Sequence, residues 1–270
     1  MASVTYDFGG AVALVTGAAG DFGSTFAEGL AAGGARLALL DLPSAPHLAE
    51  VAERCRSLGA AEVVTCGVDV TDETAVDRAV GEAADALGPA TLVANNAGYQ
   101  GAFATLVDYP ADDFRRVLEV NVVGAFNVLR ACAAAMNDAG LGGSIVNTAS
   151  MAGVGGAANM VAYASSKAAV IGMTMAASKD LAPAGIRVNA VSPAFIGPGA
   201  MWDRQVELQA GVPSPYYADD PETVAQQMID QVPLRRVGTV DEVAATVLWL
   251  LADASSYLTG QNLLVTGGIV

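Results

Sequence analysis

The segment from residue 11 to residue 41 constrains the fold of this chain more than any other. Residues 11–16 form a short apolar run that reads as a buried strand. The glycine-rich stretch Thr16-Gly17-Ala18-Ala19-Gly20-Asp21-Phe22-Gly23 follows and opens a helix that runs to about Gly33. A second apolar strand, 36–40, ends at Asp41, with Leu42 next in the chain. A strand, a glycine turn, a helix and a second strand make a right-handed parallel crossover unit. The glycines let the backbone approach a diphosphate closely, and the helix N-terminus offers free N–H donors and the positive end of its dipole. Gly17, Gly20, Asp21, Phe22 and Gly23 are therefore cofactor-binding candidates. Asp41 stands at the distance from the turn, roughly 20 residues, expected of an acid that accepts from a ribose 2′-hydroxyl and repels a 2′-phosphate.

Alternation of strand and helix continues along the chain. Residues 63–68 read as a third strand, with Asp69 and Val70 at its end, where a carboxylate would accept from an adenine amine. Residues 91–95, 144–148 and 187–191 and the stretch Asn262–Val265 complete seven strands, and helical patterns fill about 45–58, 72–87, 111–139, 161–182 and 240–252. The expected fold is one α/β domain over 1–270, with a doubly wound parallel seven-stranded sheet and helices on both faces. A composition of 53% hydrophobic and only 15% charged residues suits a sheet buried on both sides. Residues 194–233, rich in Pro and Gly, read as one long irregular loop over a binding site, a lid.

Charge and cysteine usage exclude several function classes. A formal net charge of −15 argues against nucleic acid and anionic membranes as partners. Three scattered cysteines (Cys55, Cys66, Cys132) and a single histidine, His47, provide no metal-ligand spacing, so no metal is expected. The first ten residues carry no basic region of the signal-peptide kind, and no apolar run reaches the roughly 20 residues of a membrane span. A cytoplasmic protein with reduced thiols and a small-molecule substrate is expected.

Tyr163 and Lys167 stand four residues apart on an expected helix, which places both side chains on one face. A neighbouring ammonium favours the phenolate and lowers the tyrosine pKa, giving a group able to exchange a proton with an alcohol or a carbonyl at neutral pH. Ser150 lies upstream, at the end of the fifth strand.

Together these motifs resemble the short-chain dehydrogenase/reductase family, and the resemblance covers essentially the whole chain. It implies a Rossmann-type fold and a catalytic set of Asn121, Ser150, Tyr163 and Lys167. Tyr163 would be the general acid/base, Lys167 would lower its pKa and bind the nicotinamide ribose, Ser150 would hydrogen-bond the reacting oxygen, and Asn121 would kink its helix and position a relay water. Asn95, Ala97 and Gly98, in Asn95-Asn96-Ala97-Gly98, match the stretch where the family stabilises the sheet and contacts adenosine, and are cofactor-binding candidates. Pro193 and Ile196, in Pro193-Ala194-Phe195-Ile196, match the stretch that reads the nicotinamide amide. Three positions depart from the family pattern. Asp21 replaces a glycine, which implies either a helix cap that binds a ribose hydroxyl or a weakened hold on the cofactor. Ala194 replaces another glycine, and Pro198 stands where many members have threonine. NADP-preferring members often carry a basic residue at the position of Gly20; its absence, with acids at 21 and 41, implies NAD.

A narrower resemblance joins 95–104, 147–154 and 201–209 to the NAD-dependent xylitol (polyol) dehydrogenases of this family. It implies a polyol or secondary alcohol held by Ser150, Tyr163, Gln100, Asn159 and Asp203, between apolar walls of Met151, Met160, Met201 and Trp202. Two other functions stay open. One is a ketoreductase acting on carrier-bound or tailoring-pathway 3-oxo groups, with Arg115, Arg116 and Arg130 facing the carrier. The other is a non-catalytic dinucleotide sensor, which has no need of Ser150, Tyr163 and Lys167 together. The family is usually tetrameric through the helices after strands four and five, so a homotetramer is expected.

Overall fold

A computed structural model describes residues 4–269; the first three residues of the N-terminal segment considered above, and Val270, lie outside the described residues. The chain runs β1 (Val12–Thr16), α1 (Asp21–Ala32), β2 (Arg36–Asp41), α2 (Leu48–Leu58), β3 (Val63–Gly67), α3 (Glu73–Leu87), β4 (Leu92–Asn95), α4 (Ala111–Leu118), α5 (Ala125–Asp138), β5 (Gly143–Thr148), α6 (Ala152–Gly155), α7 (Val161–Leu181), β6 (Ile186–Pro193), α8 (Ala200–Ala210), α9 (Pro221–Gln231), α10 (Val240–Leu251) and β7 (Asn262–Val265). The strands form one seven-stranded sheet in the order β3-β2-β1-β4-β5-β6-β7. Every pairing is parallel.

The sheet is buried on both faces, as its composition requires. Within β1 successive side chains point to opposite sides. Ala13 and Val15 join Phe26, Leu30, Val243, Val247 and Leu250 beneath α1 and α10. Val12 and Leu14 join Val76, Val80, Val128 and Met136 beneath α3 and α5. Because β1 lies between β2 and β4, the chain winds outward from it in both directions. A crevice opens at the C-terminal ends of those strands, which is where ligands bind in sheets of this kind.

Three expectations need correction. Residues 194–233 are not one irregular loop: α8 and α9 occupy most of the segment and share a small core of Val206, Ala210, Val224 and Met228. The start of α9 is written in the sequence, since Asp220 accepts from the Thr223 N–H as N-cap and Pro221 takes the first helical position. The helix expected over 111–139 is divided by a π-helical turn, Glu119–Gly124, which contains Asn121. The run Ala111–Asp138 is also long and apolar enough, by length and composition, to cross a bilayer, contrary to the expectation that none would be. Val128, Leu129, Cys132 and Met136 of this run are buried against the sheet, which marks it as a core helix.

Candidate active site

The crevice is a single cleft of about 1640 Å³ that runs from the glycine turn to α8. Its floor comes from strand ends that a polar network holds in register. The Thr16 hydroxyl oxygen accepts from the N–H groups of Asn96 (2.9 Å) and Ala97 (3.0 Å), which ties β1 to β4. Asn95 is buried, and its amide donates to the Ala125 carbonyl (2.8 Å) and to Asn147 (2.9 Å). This spends the Asn95 side chain inside the sheet and keeps it off the cleft wall, so of its two expected roles the side chain fills the sheet-stabilising one and does not face a cofactor. Ala97 and Gly98, just beyond it, do line the cleft.

The glycine turn has the close approaches that dictate its sequence. A Cβ on Gly17, where φ is +63°, would stand 3.0 Å from Ala97 Cα, and one on Gly23 would stand 2.0 Å from the Gly17 carbonyl oxygen. Gly23 packs beneath the turn and does not line the cleft; its role is to let α1 start this close to the turn. Gly17, Gly20, Asp21 and Phe22 line the cleft, and a Cβ on Gly20 would come no nearer than 3.5 Å to any protein atom. The turn is thus a cradle shaped by its own backbone, with open space above Gly20. Asp41 fixes it from the side: its carboxylate accepts from the Ala19 N–H (2.8 Å) and the Leu42 N–H (2.7 Å). Both oxygens keep further acceptor capacity toward the cleft, which Leu42, Asp69 and Val70 also line. The Asp69 carboxylate accepts from the Thr71 N–H (3.0 Å) and hydroxyl (2.8 Å).

Asp21 does not cap α1. Gly20, in extended conformation, is the N-cap, and Asp21 is already helical with no side-chain cap bond. Its carboxylate instead faces the start of α8, 3.5 Å from where a Cβ on Gly199 would stand.

At the other end of the cleft, Ser150 follows β5, and Tyr163 and Lys167 project from the first two turns of α7. Lys167 is only 4% exposed, and its Nζ donates to the Thr148 carbonyl oxygen (2.7 Å) and stands 5.6 Å from the Tyr163 ring centroid. No carboxylate pairs with it among the described residues, so burial pulls its pKa down to about 8. Burial pushes the Tyr163 phenol up, with the Ser150 hydroxyl pulling the other way. Burial of the phenol itself thus opposes the acidity that the i,i+4 spacing leads one to expect. The Ser150 oxygen accepts from the Ala152 N–H (3.2 Å), which leaves its hydroxyl hydrogen free to donate into the cleft.

Asn121 is buried and absent from the cleft wall. Its Oδ1 accepts from the Tyr99 N–H (2.7 Å), and its Nδ2 donates to the Tyr99 carbonyl (2.9 Å) and the Ser166 hydroxyl (2.9 Å). The side chain clamps the chain after β4 to α7, so it is a positioning residue. Pro193 and Ile196 line the cleft beside Phe195.

Of the expected substrate contacts, Gln100, Met151, Met160 and Met201 line the cleft. Three do not. Trp202 turns into the small α8–α9 core, in edge contact with Phe195 (ring centroids 6.2 Å apart) and close over Gly197. Asn159, with φ +65°, donates to Gln209 on α8 (2.8 Å), and Asp203 lies on the exposed side of α8. The cleft face of α8 carries Met201, Arg204, Gln205 and Gln209, spaced by three and four. That periodicity is hidden in the sequence by the Pro and Gly around α8, and the 201–209 resemblance does not say which of its residues face the cleft.

A family model described as Enoyl-(Acyl carrier protein) reductase matches residues 17–270. L-2,3-butanediol dehydrogenase of Corynebacterium glutamicum is 36% identical over 262 residues, 96% of this chain and 98% of that one. The chain belongs to the short-chain dehydrogenase/reductase family. Sorbitol dehydrogenase of Cereibacter sphaeroides is 33% identical over 262 residues, 96% of this chain and 97% of its own length. The crystal structure of an NAD+-bound xylitol dehydrogenase superposes with a TM-score of 0.94 at 50% identity, covering 97% of this chain and 99% of the other. Such relatives are dehydrogenases and reductases acting on CH–OH groups, and this chain shares their seven-stranded parallel fold along its whole length.

Proposed function

We propose that this protein is an NAD-dependent dehydrogenase of polyols or simple secondary alcohols, with Tyr163 as general acid/base. The observation that carries the reading is that one cleft joins the Asp41-braced glycine turn to Ser150, Tyr163 and Lys167. The glycine turn, with open space above Gly20, fits a diphosphate, and the Asp41 carboxylate fits a free ribose 2′-hydroxyl and repels a 2′-phosphate. The similarity to an NAD+-bound xylitol dehydrogenase supports the same choice.

When bound, the nicotinamide supplies or accepts the hydride. The protein positions the alcohol and manages its proton. Ser150 donates to the reacting oxygen and holds it beside the Tyr163 hydroxyl. Tyr163 takes the alcohol proton in oxidation and returns it in reduction. Lys167, held by Thr148 and with its pKa near 8, is able to exchange the next proton at working pH. Asn121 keeps Gly98 and Tyr99 in place behind the lysine; a Cβ on Gly98 would stand 3.3 Å from Asn121 Oδ1 and 3.6 Å from Lys167 Nζ. The exposed Val123, Phe126 and Met175, on the helices after β4 and β5, support assembly into a homotetramer through those faces.

The test is a panel of polyols and secondary alcohols assayed with NAD and with NADP, on the wild type and on Tyr163→Phe. NAD-linked oxidation that falls by about 10²–10⁴ in the variant is expected. Undiminished turnover by Tyr163→Phe would sink the mechanism. Tight NAD binding with no turnover of any alcohol or ketone would favour a sensor.

A further inference from the structure

We infer that the substrate of this dehydrogenase carries a carboxylate, held by Arg204 of α8 with Arg116 of α4 adding a second positive charge; this rests on the dehydrogenase reading and narrows its substrate class. The argument begins with charge. The chain has 13 basic and 28 acidic side chains, so acceptors for an arginine are plentiful; of the arginines without a carboxylate, Arg36 and Arg187 donate to main-chain carbonyls away from the cleft. Arg54, Arg56, Arg115, Arg130, Arg235 and Arg236 each hold a carboxylate among the described residues. Arg204 and Arg116 hold none, and both line the cleft.

Their placement is specific. Arg204 Nη1 donates to Gln100 Oε1 (2.7 Å), and Nη2 has only a long contact to the Gly101 carbonyl (3.4 Å). These two contacts aim the guanidinium from α8 across to the loop after β4 and leave three of its five N–H donors without a protein acceptor. Arg116 stacks on the Tyr99 ring, its Cζ 4.8 Å from the centroid. The acid near it is Asp113, whose carboxylate already accepts from Tyr99 (3.0 Å), Tyr109 (2.9 Å) and the Ala102 N–H (2.7 Å). The two guanidiniums thus flank Tyr99, one residue beyond Gly98, which packs against Lys167. Three of the four acids lining the cleft, Asp21, Asp41 and Asp69, stand at the glycine turn and the ends of β2 and β3, and the fourth, Glu119, lies on the π-helical turn. A planar fork with free donors, aimed into a cleft near the proton-transfer groups, matches a carboxylate. Gln100, already aligned by Arg204, remains available to neighbouring hydroxyls, so a polyhydroxy or simple hydroxy acid fits both features.

The experiment compares substrate pairs that differ in a carboxylate, D-gluconate against D-glucitol and 3-hydroxybutyrate against 2,3-butanediol, at saturating NAD. For at least one pair, kcat/KM for the acid is expected to exceed that for the neutral alcohol about tenfold or more, and the advantage should shrink as ionic strength rises. Arg204→Gln should lower the acid-to-neutral ratio by about tenfold, and Arg204→Lys should restore part of it. If Arg204 only straps α8 to the loop after β4, its loss slows both members alike and leaves the ratio unmoved, which overturns the inference while the dehydrogenase stands. A rise in KM for NAD with the ratio intact would assign Arg204 to the cofactor and likewise overturn it. Should no pair be oxidised, the dehydrogenase reading falls, and calorimetry of gluconate binding decides the subsite separately: binding that Arg204→Gln abolishes upholds it, and no such binding overturns it.

Discussion

The ammonium of Lys167 rests on the main-chain oxygen of Thr148, 2.7 Å away, with no carboxylate paired to it among the described residues. β5 delivers the acceptor and α7 the donor, so the sheet itself sets the depth of this lysine. That depth has a measurable consequence. The Lys167 pKa in the folded protein, about 8, lies below its ordinary value of 10.5, so the unfolded chain binds the extra proton between those limits. The penalty for burying the charge is fully present below about pH 8 and fades as pH rises to 10.5, so stability rises across that window. Lys167→Met should be more stable than the wild type at pH 7, by on the order of 3 kcal/mol less whatever the lost Thr148 bond contributes. The difference should shrink above pH 8; denaturant titrations at pH 7 and pH 10 check this, and a constant difference would contradict it.

Alcohol oxidation should rise with pH. Rising pH populates the proton-accepting forms of both groups, Lys167 first, because burial pulls its pKa down to about 8 while it pushes Tyr163 up. Oxidative kcat/KM is expected to climb through pH 8, and reductive kcat/KM to fall. An oxidative rate that declines from pH 7 to pH 9 in a protein still folded by circular dichroism would refute the assignment.

Asp41→Ala should do two things at once. Removing the carboxylate frees the Ala19 and Leu42 N–H groups, which loosens the glycine turn, and removes the charge that repels a 2′-phosphate. KM for NAD should rise about tenfold, one charge-assisted hydrogen bond being worth about 1.5–3 kcal/mol, while the NADP-to-NAD ratio of kcat/KM increases. An unchanged ratio would show that Asp41 braces the turn without selecting the cofactor.

Gly23→Ala and Gly20→Ala should part company. The new Cβ at 23 would meet the Gly17 carbonyl at 2.0 Å, backbone against backbone, whereas at 20 the nearest atom is 3.5 Å away. Gly23→Ala is expected to lose more than about 3 kcal/mol, a fall in Tm of roughly 6–12 °C or more. Gly20→Ala should keep its Tm within a few degrees and weaken NAD binding, since its methyl projects into the cleft. Equal melting curves for the two would contradict the close packing of α1 on the turn.

Asn121→Ala should damage stability as well as rate. It strands the half-buried N–H and carbonyl of Tyr99, at about 1–3 kcal/mol for each group left unsatisfied. Chemical denaturation is expected to show a loss of about 2–4 kcal/mol alongside reduced turnover. Stability within about 0.5 kcal/mol of the wild type would mean that the clamp on Tyr99 is not what this residue supplies.

The β/α alternation, the Tyr163–Lys167 spacing and the glycine turn were legible in the sequence, because each is written in short-range pattern. Apolar runs that end in Gly, Asn or Asp mark strands, and a turn that must let Gly23 sit on Gly17 admits no other residue there. The small core under α8 and α9 was less legible, since its four buried residues are spread across a stretch whose Pro and Gly content mimics a loop. Depth and direction were not legible at all. Nothing near Lys167 in the chain says that Thr148 will receive its ammonium, nor that Asn95 and Asn121 will be spent on Ala125, Asn147 and Tyr99 and kept off the cleft wall. Arg204 and Arg116 reach one side of the cleft only when α8 folds across to the loop after β4. The sequence by itself determined the family, the sheet and the Tyr163–Lys167 spacing, because local periodicity and close backbone contact are properties of neighbours in the chain. The tertiary structure decided which of those groups face the cleft and how strongly they hold a proton, because burial and hydrogen bonding depend on partners brought from distant segments.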